Sequence, residues 1–173
     1  MFLDKFRTFK AGRWPRMVGR TALAVFDENF DSGGFTDKVF IRWKPRKGDT
    51  ENQGRRLGDG GRQRGRALLI KTGALRRSLR VASASTGAVR FVAGNQDVPY
   101  AGIHNEGGRI TGTVQVRSFE REPTFAKRHT VKAHTRTLNI TMPRRRFLGP
   151  SQKLMERLYR QFFTELNKLW ELS

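Results

Sequence analysis

The amino-acid sequence predicts an α+β fold: a small antiparallel sheet with an N-terminal and a C-terminal amphipathic helix packed on it, plus a projecting β-hairpin arm. Three observations carry that expectation. Apolar residues recur at helical spacing near both ends of the chain. Between them, short β-branched and aromatic segments alternate, separated by glycine-marked turns. Hydrophobic residues make up 36% of the 173, and thirteen Phe and three Trp suffice to close one core but not two. A single domain over residues 1–173 follows. That 36% is low for a compact monomer, so part of the chain is expected to find order only against neighbours.

Taken in order, Phe2, Phe6 and Phe9 fall at helical spacing, and Trp14-Pro15 is expected to interrupt that helix because proline disfavours helix in the residue before it. A second helix runs from Pro15 to Phe30, with Val18, Ala22, Val25, Phe26 and Phe30 on one face and Gly33-Gly34 as its stop. Val39 to Trp43 reads as a strand. Lys44 to Arg66 carries six Gly, eight Lys or Arg and almost nothing to bury, so a mobile basic loop is expected there. Thr72 can cap a short helical turn ahead of Ser78. Ser78–Ala84 and Ala88–Ala93 alternate as a hairpin about Thr86-Gly87, with Leu79, Val81, Val89 and Phe91 inward. Pro99 to Asn105 reads as a further helical turn, closed by Gly107-Gly108.

Ile110 to Arg117 and Thr130 to Met142 are two more strands. The first alternates through Val114 and Val116; the second is polar on both faces until Leu138, Ile140 and Met142 share one. A strand pair whose outer half has no apolar face cannot be buried in its own domain, so residues 110–142 are read as an extended arm. Ser151 caps the last helix, 151–172, whose stripe of Leu154, Leu158, Phe162, Leu166 and Leu169 is widened by Met155, Tyr159, Phe163 and Trp170.

Charge narrows the function. Thirty-five Lys and Arg against fifteen Asp and Glu give +20, more than solubility requires, and imply a partner rich in negative charge. The candidate contacts are Lys44, Arg46, Lys47, Arg55, Arg56, Arg62, Arg64 and Arg66, with the run Arg144, Arg145 and Arg146. No helix-turn-helix, zinc-finger or RNP-like pattern points to sequence readout. No cysteine is present, so disulfides and thiolate metal sites are excluded. No apolar run approaches the ~18 residues of a membrane span and the N-terminus lacks a signal-peptide core, so a soluble protein of cytoplasm-like conditions is expected. His104, His129 and His134 form no helical ligand pair, no serine lies in a nucleophile elbow, and Gly54 to Gly65 lacks the order of a phosphate loop. The expectation is a protein that is not an enzyme and carries no cofactor.

Three blocks of sequence then become informative together. Thr72-Gly73-Ala74-Leu75-Arg76-Arg77-Ser78 is followed by Tyr100-Ala101-Gly102-Ile103-His104-Asn105-Glu106-Gly107-Gly108. Pro143-Arg144-Arg145-Arg146-Phe147-Leu148-Gly149 comes last, just ahead of the final helix. This order, TGxLxxS, YAxIHxxGG, PxRxFLG and a helix, resembles the phage virion morphogenesis family of tail-completion and neck proteins, with Trp14 to Gly19 and Asn29-Phe30 resembling its first helix. The chain departs from that pattern in its first dozen residues, in the Lys44–Arg66 region and at Arg145, where the family often has a small residue. The resemblance implies a structural protein of the virion that is assembled in the host cytoplasm. It would form a homo-oligomeric ring at the head–tail junction, a hexamer favoured over a dodecamer, beside other neck, portal-side and tail proteins and packaged DNA. Thr72, Gly73, Leu75, Ser78, Tyr100, His104, Gly107, Gly108, Pro143, Phe147, Leu148 and Gly149 are the candidate assembly or fold positions. Composition alone points to an alternative, a basic nucleic-acid-binding module associated with ribosomes or chromosomes.

Overall fold

A computed structural model describes residues 2–46, 67–121 and 128–171. Most of the basic segment 44–66 therefore lies outside the described residues, as does the end of the expected helix 151–172. The α+β class is as expected. Helices α1 (Phe2–Thr8) and α2 (Trp14–Ser32) form one long rod with a π turn, Phe9–Arg13, between them. The expected break at Trp14-Pro15 does not occur. A proline inside an α-helix lacks a donor and its ring meets the carbonyl four residues back. Here the turn ahead of it is widened, with the Trp14 N–H donating to the Phe9 carbonyl five residues earlier, and the helix passes through. It ends as expected at Gly33, whose φ of 67° lets its N–H return to the Asn29 carbonyl.

Among the described residues the strands pair as separate antiparallel hairpins rather than joining one sheet. β1 (Gly34–Thr36) pairs with β2 (Phe40–Arg42), so Gly34, read as part of the helix stop, also opens a strand. The short helix α3 (Ala74–Arg77) leads into β3 (Arg80–Ala84), which pairs with β4 (Val89–Val92) through a bulge between Val81 and Ser83. This hairpin lies on α2: Phe26 and Phe91 meet edge to face at 5.3 Å, and a Cβ on Gly19 would come within 3.0 Å of Val81. Helix α4 (Ala101–Glu106) precedes the arm, and α5 (Gln152–Glu171) closes the fold. Ser151 caps α5 as expected, its hydroxyl accepting from the Leu154 N–H at 3.2 Å, and Asp37 adds a second acceptor for the Gln152 N–H at 2.7 Å.

Two buried clusters hold the body together. Ala22, Val25 and Phe26 of α2 pack with Leu154 of α5. Phe30, Trp43, Leu75, Val98, Ala101 and Phe147 form the other, drawn from five separate stretches of chain. Polar pairs fix how the helices lie. Arg157 and Lys153 hold Glu28 at 2.7 and 2.8 Å, and Thr21 donates to Gln161 at 2.7 Å, joining α2 to α5. Hydrogen bonding from Lys153, then from Arg157, pulls the Glu28 carboxyl below its ordinary value. Near the π turn, buried Glu165 takes Arg13 at 3.0 Å, beside the ring cluster of Phe9, Trp14 and Phe162.

The arm is β5 (Gly108–Val116) paired with β8 (His134–Met142), continued by β6 (Phe119–Arg121) with β7 (His129–Val131). Its register is continuous. Gly108 faces Met142, Val116 faces His134, and after a two-residue break in each strand Phe119 faces Val131 and Arg121 faces His129. At roughly 3.3 Å per residue it extends about 43 Å from its base.

Candidate assembly surfaces

The three sequence blocks converge on Phe147, which is fully buried. Leu75 and Ala101, one from each earlier block, line its cluster, and Phe30 tilts against it with ring centroids 5.2 Å apart. The surrounding backbone is irregular and needs partners of its own. Asn105 supplies one carbonyl oxygen to two of them, the N–H groups of Phe147 at 3.0 Å and Leu148 at 2.9 Å. Asn29 of α2 donates to the Phe147 carbonyl at 3.1 Å, and the Trp43 indole donates to the Arg146 carbonyl at 2.7 Å. Asn29, Trp43 and Asn105 are functional to the fold, and none was among the candidate positions named from sequence. The only hint was an Asn on the apolar face of a helical pattern.

The other motif residues fall into place around this centre. Thr72 accepts from the Ala74 N–H at 3.3 Å, while Gly73 (φ 74°) is the residue that starts α3. Buried Ser78 donates to the Leu75 carbonyl at 2.7 Å and accepts from the Gly94 N–H at 2.9 Å, tying α3 to the end of β4. Arg76 forks onto Asp27 and Asp31, pinning α3 to α2. Gly107 has a φ of 74°, and a Cβ there would lie 2.8 Å from the Arg144 backbone nitrogen, so only glycine allows the two strand ends of the arm to meet the body here. Tyr100 meets His104 edge to face at 5.6 Å. The His104 carbonyl accepts from the Arg145 N–H at 2.8 Å, but its buried Nδ1 has no hydrogen-bond partner among the described residues. Burial, then the Arg145 charge, lowers the His104 pKa from its ordinary value. Half-buried Pro143 leads from β8 into this knot, and Leu148 packs on both buried clusters. The φ of 145° at Gly149 places it against the Arg146 guanidinium.

The basic candidates separate. Arg145 is 6% exposed, its guanidinium donating to the Lys44 carbonyl at 2.8 Å and the Pro45 carbonyl at 3.2 Å. It was expected to face a polyanion and instead ties the segment after Trp43 to the segment before Phe147. Arg146 is half-buried, stacked 4.2 Å from the centre of the Phe35 ring and donating to the Pro150 carbonyl. Arg144 alone of the three stays exposed, 3.5 Å from Glu106. Lys44 is exposed and Arg46 donates to the Ala67 carbonyl at 3.1 Å. Lys47, Arg55, Arg56, Arg62, Arg64 and Arg66 lie outside the described residues.

The exposed apolar surface is larger than expected. Helix α5 buries or half-buries Leu154, Leu158, Phe162, Leu166 and Leu169, but Met155, Tyr159, Phe163 and Trp170, expected to widen the buried stripe, are exposed. At about 100° per residue these four lie on an arc adjoining the buried one, and the body covers only the latter. Trp170 meets Phe2 of the body edge to face, centroids 5.4 Å apart. On the arm, the register puts Ile110, Val114, Val116, Leu138 and Ile140 on one face, of which Ile110, Val114 and Ile140 are exposed. Val39, Phe40 and Ile41 are exposed as well.

Among the described residues no three His, Asp or Glu group to hold a metal, and no helix is long and apolar enough to cross a membrane. The profile of the phage virion morphogenesis family matches residues 41–166, which takes in all three sequence blocks, the arm and most of α5 but not the α1–α2 rod. No curated protein and no solved structure matches the chain. The knot of motifs around Phe147 lies wholly within a match covering most of the chain. The protein therefore belongs to the phage virion morphogenesis family, with a structural or assembly role in the phage virion.

Proposed function

We propose that the protein is a non-catalytic, ring-forming subunit of the head–tail junction, acting in tail completion or as a tail terminator between the DNA-filled capsid and the tail. The supporting observation is that two separate elements of one chain, the arm and α5, each present an apolar face that the body leaves uncovered. A closed ring needs a heterologous interface, in which one patch of a subunit meets a different patch of the next. The apolar run from Ile110 to Val116 measures about 20 Å. That from Met155 to Trp170 measures about 22 Å. The arm of one subunit laid on α5 of the next would cover both. A hexamer, matching tail symmetry, is favoured over a dodecamer, with portal-side and tail proteins above and below.

A mixing experiment tests this. One variant carries Ile110→Asp and Ile140→Asp on the arm; a second carries Tyr159→Asp and Phe163→Asp on α5. Light scattering should find wild type as a discrete ring, each variant alone as a monomer, and the mixture as a one-to-one heterodimer that stops there, since only one intact arm and one intact helix face remain. Rings from either variant alone would refute the arm-on-helix contact. A wild-type chain that is monomeric at every concentration would refute self-assembly into a ring.

A further inference from the structure

With Arg145 and Arg146 drawn into the body, the expected polyanion run 144–146 is reduced to Arg144. The arm carries the charge instead. Over 108–121 and 128–142 it holds Arg109, Arg117, Arg121, Arg128, Lys132 and Arg136 against a single carboxylate, Glu120. Glu120 is taken by Arg128, and Arg109 is engaged by Asn139 at 2.6 Å. Arg117, Arg121, Lys132 and Arg136 are exposed and make no ion pair among the described residues. They are staggered over both strands, from Arg136 opposite Val114 to Arg121 opposite His129. That span is roughly 23 Å of ribbon.

We propose that the outer part of the arm is a nucleic-acid contact, a two-stranded ribbon that grips phosphates without reading sequence. The chemistry favours nucleic acid over an acidic protein surface. A protein interface has a desolvated apolar centre from which charged residues are depleted. Here, from Val114 to Arg121 and from His129 to Arg136, the apolar residues are Val114, Val116, Phe119, Val131 and Ala133, and the rest are Arg, Lys, His, Thr, Gln and Ser with the one carboxylate Glu120. Of these, Arg, Lys, Ser, Thr and Gln are side chains that contact phosphate oxygens. Phosphates recur along each strand of a duplex at about one per 3.4 Å of axis, so a ribbon of this length meets several of them. A pair of antiparallel strands is also a shape that a major groove admits. The contact needs no ring and can be tested apart from assembly.

The test compares two variants of the full-length protein with equal charge loss. The arm variant carries Arg117→Gln, Arg121→Gln, Lys132→Gln and Arg136→Gln. The matched variant carries Arg7→Gln, Lys10→Gln, Arg16→Gln and Arg20→Gln, all exposed on the α1–α2 rod. Affinity for two duplexes of unrelated sequence is measured against salt, with poly-glutamate as an acidic-peptide probe. Wild type should bind both duplexes alike, and the arm variant should lower the slope of log affinity against log salt by about 3 to 4, at roughly 0.9 per phosphate contact. The matched variant should change it by less than about 1. Equal losses in the two variants would make binding a matter of net charge and overturn the assignment. So would poly-glutamate binding as tightly as DNA, or no duplex binding by wild type. Thermal melts of both variants beside wild type, and light scattering on the same samples, separate loss of contact from loss of fold or of assembly.

Discussion

Residues 98–107 and 143–149 converge on the body's core, whereas the described residues between them, 108–121 and 128–142, bury almost nothing. The two flanking stretches are joined by the Arg145 N–H to His104 carbonyl bond and by Asn105 beneath Phe147 and Leu148. That knot clamps the base of the arm, where Gly108 faces Met142. The arm itself is held by its backbone ladder and by cross-strand pairs such as Ile110 with Ile140, a weaker kind of stabilisation than burial. The difference teaches where to look for each property: stability resides in the knot, and what the arm carries on its surface is available to other molecules.

Substitutions should break this contrast most sharply at Phe147. Phe147→Ala removes the ring at the meeting point of the three blocks and should cost about 3–5 kcal/mol, a large share of a domain's stability, read as a lower denaturant midpoint. A midpoint within about 0.5 kcal/mol of wild type would mean that the core is elsewhere.

The knot should also respond to acid. Because the His104 pKa is lowered in the folded state, the unfolded chain takes up that proton first as pH falls. Stability should therefore drop from the ordinary imidazole range down to the folded pKa and level off below it. His104→Phe removes the titrating ring nitrogen, and melts across that window should then lose this slope. Glu28, with its carboxyl lowered by Lys153 and Arg157, should add a second loss further down, below the ordinary carboxylate range. Retention of the first slope in His104→Phe would assign it to another group.

The smallest effect is expected on the arm. Ile110→Thr with Ile140→Thr keeps β-branching and trims one part-exposed cross-strand pair, so the melt of the dissociated chain should move by no more than about 1 kcal/mol while oligomer formation weakens. A large loss of stability without assembly would show that the arm packs on its own body.

Much of this was legible in the chain. The arm followed from strands with no apolar outer face, and the last helix from its spacing and Ser151 cap. The α2 stop at Gly33 and the inward set Leu79, Val81, Val89 and Phe91 were readable because burial with period two or 3.6 leaves a mark at every repeat. Less legible was Pro15, whose local rule predicts a break that a single π turn avoids. The outer face of α5 was misjudged because apolar spacing shows which residues lie together on a helix but not how wide a body they meet.

By itself, then, the sequence determined what repeats or turns locally: element types, caps, the inward face of the hairpin set by alternation, and the family to which three short blocks belong. Only the tertiary structure decided the fate of single side chains. Arg144, Arg145 and Arg146 are chemically identical neighbours, yet one faces solvent, one is buried and one lies on Phe35. The difference comes from carbonyls and a ring that the fold brings from about a hundred residues away, and no local pattern encodes a partner so distant.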